Sequence, residues 1–237
     1  MKKAVHSHFV LILAAALSLA AGWIAGTLIP LPVQKSVPAA PLTASSPLVS
    51  LLPSYAAIPD VRQSTGYTCG AAALQAVLAY WGTSEREDRL AARLRSTPEA
   101  GTHPLEIIRV AREFGLTAEL REGLDLSDLE SALAAGTSVI VDLQAWRGNT
   151  SIPWTETWDD GHYMVLLKMD AENLYFEDPS LLGPRGVIPR AEFVDRWHDY
   201  EGDPPLDPTD RKYVRMAMFF KGSRPAPAAP VTVQRVY

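Results

Sequence analysis

Val61-Arg62-Gln63-Ser64-Thr65-Gly66-Tyr67-Thr68-Cys69-Gly70-Ala71-Ala72-Ala73-Leu74-Gln75 holds the only cysteine of the 237-residue chain. Cys69 stands where a polar, glycine-containing loop turns into an apolar, alanine-rich run. Leu74, Val77, Leu78 and Trp81 recur at helical spacing, so the spacing predicts a helix that buries that face. Cys69 then lies at or beside the first helical turn, where unpaired backbone N–H groups and the helix dipole favour a thiolate. Gly70 and the three alanines after it leave the surface near the sulfur uncluttered for another backbone. Gln63, upstream, offers a side-chain amide able to donate to an oxyanion forming near the sulfur. Two readings follow, a nucleophile or a small buried residue, since free cysteine is among the most buried types. The stretch alone does not choose between them.

Working outward, the length suffices for one well-buried domain with appendages, and 47% apolar residues sit within the globular range. The formal charge is −5, unevenly spread. Residues 1–53 carry only Lys2, Lys3 and Lys35 and no acid, which leaves 19 basic against 27 acidic residues in the remainder. An acidic body without a basic cluster argues against nucleic acid as the partner. Lys2 and Lys3 precede an uncharged stretch from Phe9 to Leu31, about the length that spans a hydrocarbon core. Ser18-Leu19-Ala20 suits a cleaved signal peptide. The apolar continuation through Trp23, Ile24, Leu28 and Ile29 suits an uncleaved membrane anchor instead. Both place the body outside the cytoplasm, periplasmic or extracytoplasmic, where a lone cysteine is a free thiol in need of an explanation.

The expected domains are 1–31 as signal peptide or anchor, 32–53 as a Pro/Ala/Ser-rich linker, 54–221 as the folded body and 222–237 as a disordered tail. Ile58 to Val61 reads as a short edge strand or an extended lead-in. Ser84-Glu85-Arg86-Glu87 has the form of a capping box opening a second helix to about Leu94. His103-Pro104 opens a third helix that stops at Gly115. Leu116–Leu120 alternates like a strand, and Ser127-Asp128-Leu129-Glu130 is a second capping box whose helix ends at Gly136. Residues 138–143, 162–167 and 174–177 are β-branched or aromatic runs of strand length, with Ala171–Asn173 as the hairpin turn between the last two. A helix around Pro189–Trp197 and a strand over Tyr213–Phe220 complete the body. Helices first and mostly antiparallel strands after is an α+β order, with helices on one side of a sheet.

A thiol nucleophile needs a base in reach and a third group to orient that base. Of five histidines, His6 and His8 flank the export signal, His103 caps a helix, and His198 reads as a surface residue beside Asp195 and Asp199. His162 opens an apolar strand directly after Asp159-Asp160-Gly161, at a strand edge beside a loop; the alternative is a histidine that merely satisfies loop hydrogen bonds. Folding 162–169 onto 174–178 brings Asp178 near His162 as its orienter, with Asp160 as a rival tied to a loop. Glu177 points to the opposite strand face. The set lacks CxxC and HExxH spacing, so a zinc site is a weak reading and no cofactor is expected.

Gln63-x5-Cys69-Gly70-Ala71-Ala72, with Tyr80-Trp81-Gly82 closing the helix, then Gly161-His162-Tyr163-Met164-Val165-Leu166, then Glu177-Asp178-Pro179, resembles the bacteriocin-processing, double-glycine leader peptidases. The resemblance covers about residues 55–200 and rests on three motifs in order. It implies a papain-like cysteine peptidase fold, with N-terminal helices packed on a mainly antiparallel sheet. It further implies Cys69 as nucleophile, His162 as base and acid, Asp178 as orienter, Gln63 as oxyanion donor, and a peptide or protein as substrate. Typical members are cytosolic domains of peptide-exporting ATP-binding transporters. This chain has no P-loop and no multi-span region, so it is similar to stand-alone relatives, and leader cleavage is not carried over. An acyltransferase using the same three groups, and a catalytically silent peptide-binding domain, remain as alternatives. The long segment Ala145–Asp160, with Trp146, Trp154 and Trp158, either walls the cleft or packs the body.

Overall fold

The computed structural model describes residues 58–181, 183, 185–202, 205–223 and 233–235. The proposed anchor and linker, with His6 and His8, lie outside these residues. Among the described residues no helix is long and apolar enough to cross a membrane.

The first element is α1, Cys69–Tyr80, whose residues from Cys69 to Leu78 are buried apart from Gln75. A helix apolar around most of its circumference belongs inside a protein, and small alanines let neighbours approach it closely. Gly70 shows how closely: a Cβ there would stand 2.7 Å from the Thr102 Cβ. Two shorter helices follow, α2 (Glu87–Arg93) and α3 (Pro104–Glu113), then β1 (Thr117–Arg121), α4 (Leu126–Ala134) and β2 (Ser138–Gln144). The hairpin β3 (Gly161–Met169) and β4 (Asn173–Glu177) precedes β5 (Arg185–Pro189) and α5 (Arg190–Arg196). Beyond these come β6 (His198–Glu201), β7 (Arg211–Val214), β8 (Ala217–Lys221) and β9 (Val233–Arg235).

Seven strands form one sheet in the order β1-β8-β2-β3-β4-β5-β9, while β6 and β7 pair separately. Every pairing in the large sheet is antiparallel except β5 with β9. Period-two alternation divides the core. Ile140, Tyr163, Val165 and Leu167 face α1 and α3, with Leu90 of α2 in the same cluster. Val139, Val141, Leu143, Met164 and Leu166 face the other way, against Leu129 of α4 and Phe193 of α5. Helices therefore cover both faces, which corrects the one-sided expectation. β2 is buried along its whole length because it is central and covered on both sides.

Other expectations shift in instructive ways. The Ser84–Glu87 box does not cap: α2 begins at Glu87 after Arg86, because Glu87 instead accepts from the Ser64 backbone at 2.9 and 3.1 Å. The second box lies two residues early, where Asp128 accepts from the Asp125 N–H at 2.8 Å. The strand expected over 213–220 is two strands in two sheets, broken at Arg215, whose φ of 52° turns the chain. Within the tail expected to be disordered, Val233–Arg235 add a strand to β5. His103 caps α3 as read, its Nδ1 accepting from the Leu105 N–H at 3.1 Å.

The lead-in to α1 is extended rather than a strand, and buried charge pins it. Glu177 accepts from the Val61 N–H at 2.7 Å and pairs with Arg185, which donates to the Ile58 carbonyl at 2.5 Å. Both charged side chains are almost wholly buried. Glu177→Ala strands the Arg185 guanidinium, so it is expected to lower unfolding free energy by about 3–5 kcal/mol. A urea midpoint unchanged from wild type would contradict this.

Candidate active site

Cys69 is the first residue of α1, and the first helical hydrogen bond is Ala72 N–H to the Thr68 carbonyl at 3.0 Å. The N–H groups of Cys69, Gly70 and Ala71 therefore precede the helical ladder. The loop before them is tied to itself. Thr65 and Thr68 hydroxyls are 3.0 Å apart, and the Thr65 carbonyl accepts from Gln63 Nε2 at 2.7 Å. Gln63 also donates its backbone N–H to the Pro179 carbonyl at 2.9 Å, which moors the loop beside the end of β4. The bond to Thr65 spends one side-chain amide hydrogen of Gln63 on its own loop, and its buried Oε1 accepts nothing.

His162 is the second residue of β3, opposite Leu143 of β2, and Asp178 directly follows β4. The β3–β4 hairpin brings them together: His162 Nε2 lies 2.8 Å from Asp178 Oδ1, with both side chains buried. Asp178 Oδ1 also accepts from the Ser180 N–H at 2.8 Å and the Ser180 hydroxyl at 2.7 Å. With Nε2 so engaged, Nδ1 is the ring nitrogen left over, and Cys69 lies close enough to favour the charged ring. Burial opposes the imidazolium, yet the Asp178 carboxylate outweighs it and, with Cys69, raises the ring to about 10. Burial likewise opposes ionised Asp178, but His162 and Ser180 hold its carboxyl below the usual range. Asp160 takes no part in that bond; its N–H donates to Gln144 Oε1 at 3.1 Å.

The aromatic segment contributes as well. Trp146 lies with its ring 4.9 Å from that of His162. Arg196, fully buried, donates to the carbonyls of Gln144 and Ala145 at 2.7 Å each and stacks on Trp154. His198 is not the surface residue expected: it is buried, bonded to the Thr157 carbonyl at 2.8 Å, and packed on Trp158. Its pairing partner is β7, which local sequence does not reveal.

Two residues beside Cys69 escape sequence reasoning. Asp142 of β2 is buried within electrostatic reach of the thiol, and the half-buried Asp199 of β6 lies beside it. The available signal was a lone carboxylate in the apolar run 138–143. Among the described residues no group of His, Cys, Asp and Glu side chains is arranged to hold a metal ion.

Comparison with known proteins agrees with this architecture. An uncharacterised protein of Methanothermobacter marburgensis is 32% identical over 121 residues, 51% of this chain and 71% of that protein. One from Methanothermobacter thermautotrophicus is 33% identical over the same shares. The crystal structure of a C39-like peptidase from Bacillus anthracis superposes with a TM-score of 0.52 at 17% identity, covering 73% of this chain and 99% of that one. The papain-like α+β fold is thereby shared. The model of the Peptidase_C39 like family matches residues 55–204, and the chain belongs to that family.

Proposed function

We propose that this protein is a cysteine peptidase that hydrolyses peptide bonds with Cys69 as nucleophile, His162 as base and acid, and Asp178 as orienter. The observation that carries the reading is the buried 2.8 Å bond between His162 Nε2 and Asp178, which leaves Nδ1 as the ring nitrogen available to the thiol at the start of α1. The Cys69 sulfur attacks the carbonyl carbon, and the charge that develops on oxygen is held by the Cys69 N–H and the second amide hydrogen of Gln63. His162 Nδ1–H gives its proton to the leaving amine, leaving a thioester. Water then attacks that thioester, His162 takes its proton, and the acid departs with the thiolate restored. Trp146 against the ring supports the reading, because it limits water around the His162–Asp178 bond.

The lysine-flanked apolar stretch 9–31 supports action outside the cytoplasm on a membrane tether. The hydrolase reading is tested with the full chain and a mixture of synthetic peptides, the products identified by mass spectrometry. New carboxyl termini carrying ¹⁸O from labelled water are expected; intact peptides throughout would end it. Gln63→Ala is expected to lower kcat by roughly 10²–10³ with KM little changed, since an oxyanion donor acts in the transition state. Unaltered kcat would remove Gln63 from the mechanism and leave the Cys69 N–H in that role.

A further inference from the structure

A cavity of about 200 Å³ opens beside Cys69, walled by Thr102 and Pro104 before and at the start of α3, Tyr163 of β3 and Asp199 of β6. Asp142 lies at its base. Alternation along β2 aims Asp142 toward α1, in register with Tyr163, and its side chain is 98% removed from solvent (2% exposed). Asp142 Oδ1 accepts no hydrogen bond from any described residue. Asp199 accepts from Gln144 Nε2 at 3.0 Å. Asp199 also lies so close to Gly161 that a Cβ there would stand 1.9 Å from its Oδ2. Only glycine before His162 leaves this carboxyl room.

The cations at the rim are already engaged. Arg95 lies 3.9 Å from Glu106, and His103 lies 2.9 Å from Glu201. The base of the cavity therefore holds two carboxyls and no cation. Burying such a pair costs free energy that an incoming positive charge recovers. Neither His162 nor Trp146 nor Gln63 lines the cavity. The leaving amine must reach His162, so the cavity lies on the acyl side of the scissile bond.

We propose that this cavity is a specificity subsite that takes the cationic side chain of a lysine or arginine on the acyl side of the substrate, held by Asp142 and Asp199. This rests on the hydrolase reading for the word substrate, but the pocket and its charge stand apart from turnover. At a volume near seven water-sized atoms, at about 30 Å³ each, the cavity holds a long side chain and not a folded loop. Each carboxyl of the bare pair holds its proton to higher pH than an ordinary carboxyl. Burial, then Asp199 and Cys69, raise Asp142 well above its ordinary value, and burial raises Asp199 to about 6. A bound ammonium or guanidinium displaces that proton, so preference for it grows as pH rises. The groups facing the pair are Cys69 from α1, Tyr163 from β3, Gln144 from β2, Tyr200 from β6 and Tyr213 from β7, with Arg95, His103 and Glu201 at the rim.

The test uses tripeptidyl chloromethyl ketones on the full chain, with lysine or its neutral isostere norleucine at each of the three acyl-side positions in turn. Alkylation of Cys69 is followed by intact mass, which requires no turnover. At one position lysine is expected to alkylate about 10- to 100-fold faster than norleucine, the worth of a charge-assisted hydrogen bond. That ratio should rise between pH 5 and 8 and fall toward one in Asp142→Asn and in Asp199→Asn. Equal rates at all three positions, a ratio that does not rise with pH, or a ratio preserved in both variants would overturn the subsite. The pH dependence is read on the wild type and so does not rely on either variant folding. Lysine preference without peptide hydrolysis would retain the subsite and reject the peptidase, and hydrolysis without preference would do the reverse.

Discussion

Cys69→Ala is expected to lower kcat/KM for peptide hydrolysis by about 10⁴–10⁶-fold, to the level left by substrate binding and the oxyanion donors. Folding should survive the change. Cys69 is 8% exposed among Ala71, Ala73 and Leu74, and alanine at the first position of α1 removes a single sulfur atom. The same variant must lose all iodoacetamide uptake, because the chain has no other cysteine. The wild type should take up one equivalent. His162 keeps its proton to about 10 and so stands beside the sulfur as a cation. Peptide cleavage at the wild-type rate by Cys69→Ala, with matched circular dichroism, would refute the nucleophile.

Asp178 carries the second large effect, and two substitutions separate its two duties. Asp178→Ala removes both the charge and the oxygen that Nε2 and Ser180 share, so the ring loses its tautomer and its aim. A fall of about 10³–10⁴ in kcat is expected. Asp178→Asn keeps an acceptor oxygen at the Oδ1 position and removes only the charge, so its loss in kcat should be smaller. The diagnostic is the alkaline limb of the pH–rate profile. In the wild type it follows the His162 proton to about pH 10. Without the Asp178 carboxylate, only Cys69 is left to oppose burial, so the limb must move down. Stability shifts in the same sense. The ion pair contributes fully below the ordinary histidine value of about 6.5 and is lost as pH rises through about 10. At the acid end Asp178, held low, loses its contribution as pH falls through its folded value. An Asp178→Asn limb coincident with that of the wild type would mean that the carboxylate does not govern the ring.

The three motif-bearing residues illustrate what local sequence can carry. Cys69 at a helix start, His162 at a strand start and Asp178 after the next strand are each local statements about capping, alternation and a hairpin turn. The hairpin about Ala171–Asn173 then suffices to join His162 to Asp178, because antiparallel neighbours close in sequence meet with little chain in between. Gln63 was legible as a polar amide near the sulfur, but its bond to the Thr65 carbonyl was not, since loop geometry depends on packing. The misplaced capping boxes teach one lesson. A Ser-x-x-Glu pattern states only that a cap is feasible, and Glu87 found a better partner in the Ser64 backbone.

Sequence alone determined that this chain has an α+β body built around a helix opening at its single cysteine, with one histidine and one aspartate on a following hairpin. Those features rest on period, caps and turns, which act over a few residues. Tertiary structure decided the rest. β8 slots between β1 and β2, helices cover both faces, and β6 delivers Asp199 across 57 residues to Asp142. Such meetings follow from which faces bury best against one another and which charges can be compensated. No window of adjacent residues contains that information.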